Sequence, residues 1–515
     1  MKKRIAFLCL LALLLTACSA PETHTHTYTA TTTKATCQEQ GAVLYTCDCG
    51  DVGQGDVLPI DKNHHIDNNK DLVCDFCNVS VIVELDFYSV NDLHGAFMDT
   101  ETHPGVDEFT TYMKEKFADE DAYEILLSAG DMWQGSVESS TNKGALMTRW
   151  MSELGFAAMT LGNHEYDWGA GKIAENAAIA TFPFLGINIR ENGVQPDYCK
   201  SSVIVERGGV KIGIIGAMGN HLNSISGEFT QGLKFLTGQE LSKLVKAEST
   251  RLRQQEGCDL VVYVIHNGNG AYDDSLSEGY IDLVFEGHTH ESYIKTDPHG
   301  VVHIQSGSYN EGVSFVKLAY NLAEDSYAVA DKKNLYASTY GDEAIADDAM
   351  VQRLFSQQFP DDDPYQTVLG TTSVNINGNV ICQEVANQYL AFGQSHWKEY
   401  EIVLGGGYVN LRDPERLLAG DITYADLFTL MPFDNTLILG QISGAKLKTK
   451  FLSGSYYAAQ AETMPEIQDD ATYYIVTDSY TAYDAKNGIT VVDHYDNYYA
   501  RDCIADFVKT GAWNS

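Results

Sequence analysis

Five short apolar runs in the middle of this chain are each followed by residue types that ligate metals, and this repetition restricts the fold more than any other feature. The runs are residues 85–90, 125–128, 157–161, 260–265 and 281–285, all of strand length. After the first comes Asn91-Asp92-Leu93-His94-Gly95, and the second runs into Gly130-Asp131. The third leads to Gly162-Asn163-His164-Glu165, with Asp167 close behind. The fourth is followed by His266-Asn267-Gly268, and the fifth by Gly287-His288-Thr289-His290. Residues 241–255 carry a helical pattern ahead of the fourth run. Strands alternating with helices predict a layered α/β domain. In open α/β sheets, ligands gather outside the carboxyl ends of the strands. Singly, the pieces are ordinary: Asp-x-His is often a surface loop, Gly-Asp a turn, Gly-Asn-His-Glu a helix start, and an isolated His266 structural. Gly-His-Thr-His is stronger, because two imidazoles two residues apart on a tight turn can face one centre. The conjunction, in this order, argues for a site.

The motif order resembles the calcineurin-like metallophosphoesterases, and within them the bacterial 5′-nucleotidase family, which includes UDP-sugar hydrolases and 2′,3′-cyclic phosphodiesterases. The strings carrying the likeness are Asn91-Asp92-Leu93-His94-Gly95, Gly130-Asp131-Met132-Trp133-Gln134-Gly135-Ser136 and Leu161-Gly162-Asn163-His164-Glu165-Tyr166-Asp167. The resemblance covers residues 84–320 and extends more weakly to the end. It implies a four-layer α/β/β/α sandwich followed by a second α/β domain. It also implies a binuclear centre in which Asp92, His94 and His290 hold one ion, Asn163, His266 and His288 hold the other, and Asp131 bridges both. Asn163 would also meet substrate. His164 would not ligate; it would meet the phosphate, oriented by Asp167. The physics is consistent with this division. A carboxylate between two cations about 3.5–4 Å apart offsets their repulsion, and water held there has a lowered pKa and becomes the nucleophile. Mixed imidazole and oxygen donors suit Zn, Mn or Fe ions. An imidazole outside the ligand set can stabilise the charged transition state or the leaving oxygen.

Residues 321–365 read as a helical connector, and residues 366–515 as the second α/β domain. Within the latter, Leu404-Gly405-Gly406-Gly407, Leu411-Arg412, Pro432-Phe433-Asp434-Asn435 and Asp478-Ser479-Tyr480-Thr481-Ala482 resemble the family's nucleotide-recognition domain. The likeness implies a Gly-rich turn that delivers Arg412 to the phosphate, and a base sandwiched between Phe433 and Tyr480. Stacking is physically reasonable because every base has a π-face; the alternative for Phe433 is a core residue after a Pro turn. Two departures stand out. Leu404 occupies a position usually held by Asn, with Tyr408-Val409-Asn410 lengthening the turn. Tyr483-Asp484-Ala485-Lys486-Asn487-Gly488 replaces the usual Gly-Gly-Asp-Gly. The nucleotide pocket is therefore expected to be altered, while the metal ligands show no such change.

The amino terminus reads as an address. Residues 1–4 are basic, and residues 5–15 are almost entirely apolar, too short to span a bilayer but of signal-peptide length. Leu15-Thr16-Ala17-Cys18 resembles a bacterial lipobox, which implies lipidation of Cys18 and a body held outside the cytoplasm. Residues 19–80 form a linker, over residues 21–34, and a small Cys-rich module with Cys37, Cys47, Cys49, Cys74 and Cys77. Cys74-Asp75-Phe76-Cys77 has metal-pair spacing. Zinc, mixed disulfides and free thiols are all open here, and so is a plain structural spacer. Asp67, Asn69 and Asp71 alternate as a calcium loop begins, without the Gly and closing Glu of an EF-hand.

Composition narrows the substrate. With 71 acidic and 34 basic residues the formal charge is −37, which argues against binding a nucleic-acid polymer. A small phosphate ester remains compatible, because bound divalent cations reverse the local field. The expectation is an exported, lipid-anchored 5′-nucleotidase with two divalent metal ions. Alternatives are a phosphodiesterase on 2′,3′-cyclic nucleotides or nucleotide sugars, and a non-catalytic lipoprotein that binds nucleotides or cell wall.

Overall fold

A computed structural model describes residues 25–99, 104–118, 122–268, 272–340, 348–359, 364–412 and 415–513. Cys18 and the rest of the leader lie outside the described residues. The chain divides into two compact units at Val81/Ile82.

In the larger unit, two six-stranded sheets carry the five runs read from the sequence. In one sheet, Ile82–Val90, Tyr123–Ser128, Ala158–Thr160 and Phe184–Leu185 run parallel. In the other, Val210–Met218, Leu260–His266, Leu283–Glu286 and Val302–Ser306 run parallel. These strands are nearly continuous apolar runs because both faces are covered. Between the sheets, Leu85, Phe87, Ile125, Leu127, Ile214, Val262, Val264 and Phe285 form one buried cluster, each such side chain contributing about 1.5–3 kcal/mol.

Helices close the outer faces. Asp107–Phe117 and Ala145–Leu154 turn Phe109, Met113, Leu146 and Trp150 onto Tyr88, Val90 and Leu126. Gln239–Gln254 lays Leu241, Val245 and Leu252 on the second sheet, against Ile215, Val261 and Tyr263. The order is helix, sheet, sheet, helix. Turning apolar stripes onto both outer faces leaves the parallel strands' carboxyl ends as the open rim.

The connector reading of residues 321–365 needs correction. Ser326–Tyr336 is an edge strand paired antiparallel to Gly312–Asn321. Its charged, alternating pattern hid a half-exposed strand. Among the described residues of this segment, α-helices follow at Ala337–Tyr340 and Ala349–Gln358. In the second lobe a five-stranded sheet (Tyr457–Gln460, Ile402–Gly407, Thr472–Asp478, Thr436–Ser443, Thr490–Tyr499) packs under helix Gly378–His396. Residues 404–407, read as a Gly-rich turn, are the buried end of a strand in this sheet. The glycine has a packing cause: a Cβ on Gly405 would overlap the Leu390 backbone of the covering helix.

The smaller unit holds a three-stranded antiparallel sheet, Tyr28–Thr33, Gly41–Cys47 and Asp56–Leu58. Its first strand lies inside the segment read as linker, because its Thr-rich, fully exposed sequence gives no burial signal. Among the described residues no helix is long and apolar enough to cross a membrane.

Candidate metal and phosphate site

The loops after the parallel strands converge at one rim of the two sheets. Asp92, His94 and His290 bring one donor atom each to within 4.8 Å of one another, and Asp131, His266 and His288 do the same. Asn163 joins the second group: its Oδ1 is 3.2 Å from His266 Nε2, which is 3.1 Å from Asp131 Oδ2. Asp92, His94, Asp131, His288 and His290 all have positive φ, between 51° and 81°. Left-handed backbone at a non-glycine residue costs on the order of 1–3 kcal/mol and persists only where the surroundings enforce it. Gly162 permits the close approach: a Cβ there would overlap the Asp131 carboxylate.

Backbone and side-chain partners aim the donors. His94 Nδ1 meets Gln134 O at 3.0 Å, and His266 Nδ1 meets Ala129 O at 2.7 Å, which leaves each Nε2 to face the centre. Asn91 Nδ2 and the backbone N–H of His288 donate to Asp92 Oδ2, both at 2.8 Å. Sequence reasoning assigned no role to Glu165. Its buried carboxylate accepts from the backbone N–H groups of Gly162, Asp131 and Met132 at 2.6, 2.9 and 2.8 Å. It thereby ties the second and third ligand loops together. His221 also had no signal beyond being a histidine; its ring stacks on His288, centroids 3.4 Å apart.

Two observations test whether these residues fit cations. Asp92 Oδ1, a carboxylate oxygen, is buried without a hydrogen-bond partner, and His94 Nε2 and His290 Nε2 stand only 3.0 Å apart. Neutral imidazoles ligate metals, and burial together with neighbouring imidazoles pushes His288 down to about 3. Burial lowers His290 to about 4, with Arg412 and other rings adding to the effect against Asp131. Burial would lower His266 too, but Asp131 and Asp92 overcome it and raise it to about 9. The donors are the mixed nitrogen and oxygen set that borderline divalent ions prefer.

His164 stands outside both groups of candidate donors. Its Nδ1 is 2.7 Å from Asp167 Oδ2, and Arg412 Nη2 donates to its Nε2 at 3.1 Å. The Arg412 guanidinium lies 5.2 Å over the Phe433 ring, whose centroid is 5.6 Å from that of His164. Tyr480 leans on Tyr408, centroids 6.2 Å apart. Asp131, Asn163, His164, Arg412, Phe433 and Tyr480 all line one cavity of about 460 Å³. A larger cavity, about 1130 Å³, opens on the other side of His94 and shares Arg412. Asp434 fastens the two lobes at this point. It takes an ion pair from Lys143, a hydrogen bond from Trp168 Nε1 at 3.1 Å, and a second ion pair from Arg501.

Known proteins agree with this layout. Residues 85–292 match the calcineurin-like phosphoesterase family, and residues 377–465 match the 5′-nucleotidase C-terminal domain. The chain is 24% identical over 490 residues to a 5′-nucleotidase of Vibrio cholerae, covering 80% of this chain and 87% of that one. It is 26% identical over 423 residues to an apyrase of Tabanus yao, covering 71% and 72%. Its fold is similar to that of a 5′-nucleotidase precursor from Thermus thermophilus, with a TM-score of 0.62 at 17% identity over 83% of this chain and 96% of that one. The class is that of the metal-dependent phosphoric ester hydrolases. Within it, the chain belongs to the calcineurin-like phosphoesterases that carry a 5′-nucleotidase C-terminal domain.

Proposed function

We propose that the protein is an exported, two-metal hydrolase that releases phosphate from nucleoside 5′-monophosphates. The observation that carries this reading is the single cavity in which Asp131, Asn163 and His164 meet Arg412, Phe433 and Tyr480. Asp92, His94 and His290 would hold one divalent ion, Asn163, His266 and His288 the other, with Asp131 between them. Zn, Mn and Fe all suit these donors. Bound there, two such ions activate water and neutralise phosphoryl charge.

The chain's own residues supply the rest. Arg412 donates to His164 Nε2. A phosphoryl oxygen entering the cavity would accept that hydrogen bond instead and free Nε2 to face the ester oxygen. Burial works against a protonated His164, but Asp167 and Asp131 outweigh it and hold its pKa above the ordinary value. Once Arg412 has turned to the phosphoryl oxygen, Nε2 can take a proton from water, and the raised pKa suits the ring to pass that proton to the departing nucleoside oxygen. Phe433 and Tyr480 would take the base between them, and Asn163 would touch the phosphate.

The apolar leader and Cys18 motivate export and lipid anchoring. A second reading, hydrolysis of 2′,3′-cyclic nucleotides or nucleotide sugars, is favoured by the 1130 Å³ cavity beyond His94, which has room for a second ester substituent. Phosphate release should be measured with and without chelator on nucleoside 5′-monophosphates, 2′,3′-cyclic nucleotides, UDP-sugars and p-nitrophenyl phosphate. Chelator-sensitive preference for the 5′-monophosphates is expected. Preference for a diester selects the second reading, and no release from any of them rejects both.

A further inference from the structure

The amino-terminal module lacks the apolar interior that a unit of its size needs. Among residues 25–81, the buried apolar side chains are Ala35, Cys74 and Val81. Tyr28, Leu44, Val52, Val57, Ile60, Leu72, Phe76 and Val79 are exposed. None of the hydrophobic clusters of the described residues draws on this segment. A module this small with so little core is held by disulfides or a metal.

Cys37, His65, Cys74 and Cys77 occupy the place a core would. One donor atom from each lies within 4.8 Å of the others. Cys37 Sγ and Cys74 Sγ are 3.6 Å apart, and Cys77 Sγ is 3.3 Å from His65 Nδ1. Around a tetrahedral zinc with bonds of about 2.3 Å to sulfur and 2.0–2.1 Å to nitrogen, those separations would be about 3.8 and 3.6 Å. A disulfide would bring two sulfurs to about 2.05 Å, and Cys37, Cys74 and Cys77 are all thiols.

The backbone is shaped to the same end. Asn78 N–H donates to Cys74 O at 2.9 Å and Cys74 N–H to Val79 O at 2.8 Å, with Asn78 at φ 64°. These bonds curl residues 74–79 into a tight knuckle that turns both thiols inward. Asp75 N–H donates to Ile66 O at 2.8 Å, and Cys37 N–H to His64 O at 3.0 Å, which bring His65 and Cys37 to the knuckle. The carboxylates of the nearby acidic loop are spent otherwise: Asp67 accepts from the backbone N–H groups of Asp71 and Leu72. That loop is a turn stabilised by its own side chains.

We propose that Cys37, His65, Cys74 and Cys77 bind one structural zinc ion, separate from the phosphoesterase centre, and that this ion substitutes for the missing core. Three thiolates and one imidazole in a closed tetrahedron leave no open position, so the ion stabilises the module and takes no part in hydrolysis. His26, Cys47 and Cys49 form a second trio in the same module, with His26 and Cys49 exposed; it offers three donors and is no part of the proposal.

Cobalt substitution of the full chain tests this directly. The phosphoesterase centre offers only nitrogen and oxygen donors, so a thiolate-to-cobalt charge-transfer band in the near ultraviolet reports the module alone. The band is expected in the wild-type chain. Cys77→Ser should remove it and lower the zinc content by one ion per chain, with phosphate release from p-nitrophenyl phosphate unchanged. Cys77→His should retain the zinc with a weaker band, because two thiolates and two imidazoles also make a closed site. If the Ser variant does not fold, a Cys47→Ser, Cys49→Ser double variant decides the matter: it should keep the band, and losing it there would place the ion at the other trio and overturn the proposal. Absence of the band, a disulfide through Cys37, Cys74 or Cys77 in a non-reducing peptide map, or an unchanged zinc count in a folded Cys77→Ser variant overturns the proposal.

Discussion

The candidate metal centre and the aromatic cleft meet at one cavity, yet their side chains are held in opposite ways. In the centre, Asp92, His94, Asp131, His288 and His290 sit on left-handed backbone, and Asp92 Oδ1 and Asn163 Nδ2 are buried without partners. Hydrogen bonds from the neighbouring loops hold that backbone, a cation at the centre would give Asp92 Oδ1 its missing partner, and a phosphoryl oxygen would do the same for Asn163 Nδ2. In the cleft, Arg412 is already engaged by His164 and Phe433, and Tyr480 by Tyr408. Substrate there must exchange existing contacts for new ones. The difference separates preorganised chemistry from adaptable recognition, and substitutions on the two sides should behave differently.

The largest effect is expected at Asp131. Asp131→Asn removes a buried charge shared by the ligand loops, and metal content and turnover should disappear together. The loss should exceed the ~10²–10⁴-fold of a single proton-transfer group. Elemental analysis of the variant beside its phosphate-release rate checks this; retained metal with lost activity would remove Asp131 from the ligand set. His164→Asn should show the complementary pattern. Metal content is kept, and kcat falls by about 10²–10⁴-fold. An emptied metal site in that variant would erase the division between ligand and catalyst.

Asp434 joins the two sides, and its variant tests whether they depend on each other. Burial alone would raise its pKa, but Arg501 and Lys143 outweigh that and hold it below the usual carboxylate value. A depressed folded-state pKa contributes stability that is present above the unfolded value, near ~3.9, and is lost as pH falls through the folded one. Asp434→Asn leaves the Arg501 guanidinium buried without its charge partner and should cost about 3–5 kcal/mol at neutral pH. Thermal melts should show the gap between variant and wild type narrowing as pH drops below about 4. A gap constant with pH would mean that Asp434 matters by shape and not by charge.

The same asymmetry governed what the sequence made legible. Ligand types at strand ends are readable because the fold places every parallel strand's carboxyl end at one rim, so Asp92, Asp131, Asn163, His266 and His288 announce themselves by position. Glu165 was harder: its work is to accept three backbone N–H groups, and nothing in a string of letters separates that from a helix-capping acid. His221 reaches His288 only through tertiary packing. Ser326–Tyr336 alternates, but its charged, half-exposed residues give no apolar face that marks a strand, and Gly405 read as a turn when its cause was the close approach of a helix. The cleft's aromatics were legible only by resemblance, since Phe433 and Tyr480 are 47 residues apart and no periodicity connects them.

The smallest effect expected is at Tyr480, and it is the most diagnostic of recognition. Phe433 makes a poor test alone, because its ring also supports Arg412 and packs near His164; Phe433→Ala should impair every phosphate ester to some degree. Tyr480 lines the cavity with Tyr408 for its aromatic neighbour and stands apart from the His164–Arg412 pair. Tyr480→Ala should cost about 1–3 kcal/mol of stacking on a nucleoside 5′-monophosphate. That is a loss of roughly 5- to 150-fold in kcat/KM. The same variant should leave p-nitrophenyl phosphate, which has no base, nearly untouched. Equal losses on both substrates would make Tyr480 a support of the cavity wall. No loss on either would show that the base is not held between Phe433 and Tyr480, and the lengthened segment Tyr408-Val409-Asn410 would then be the place to look for what the cleft recognises.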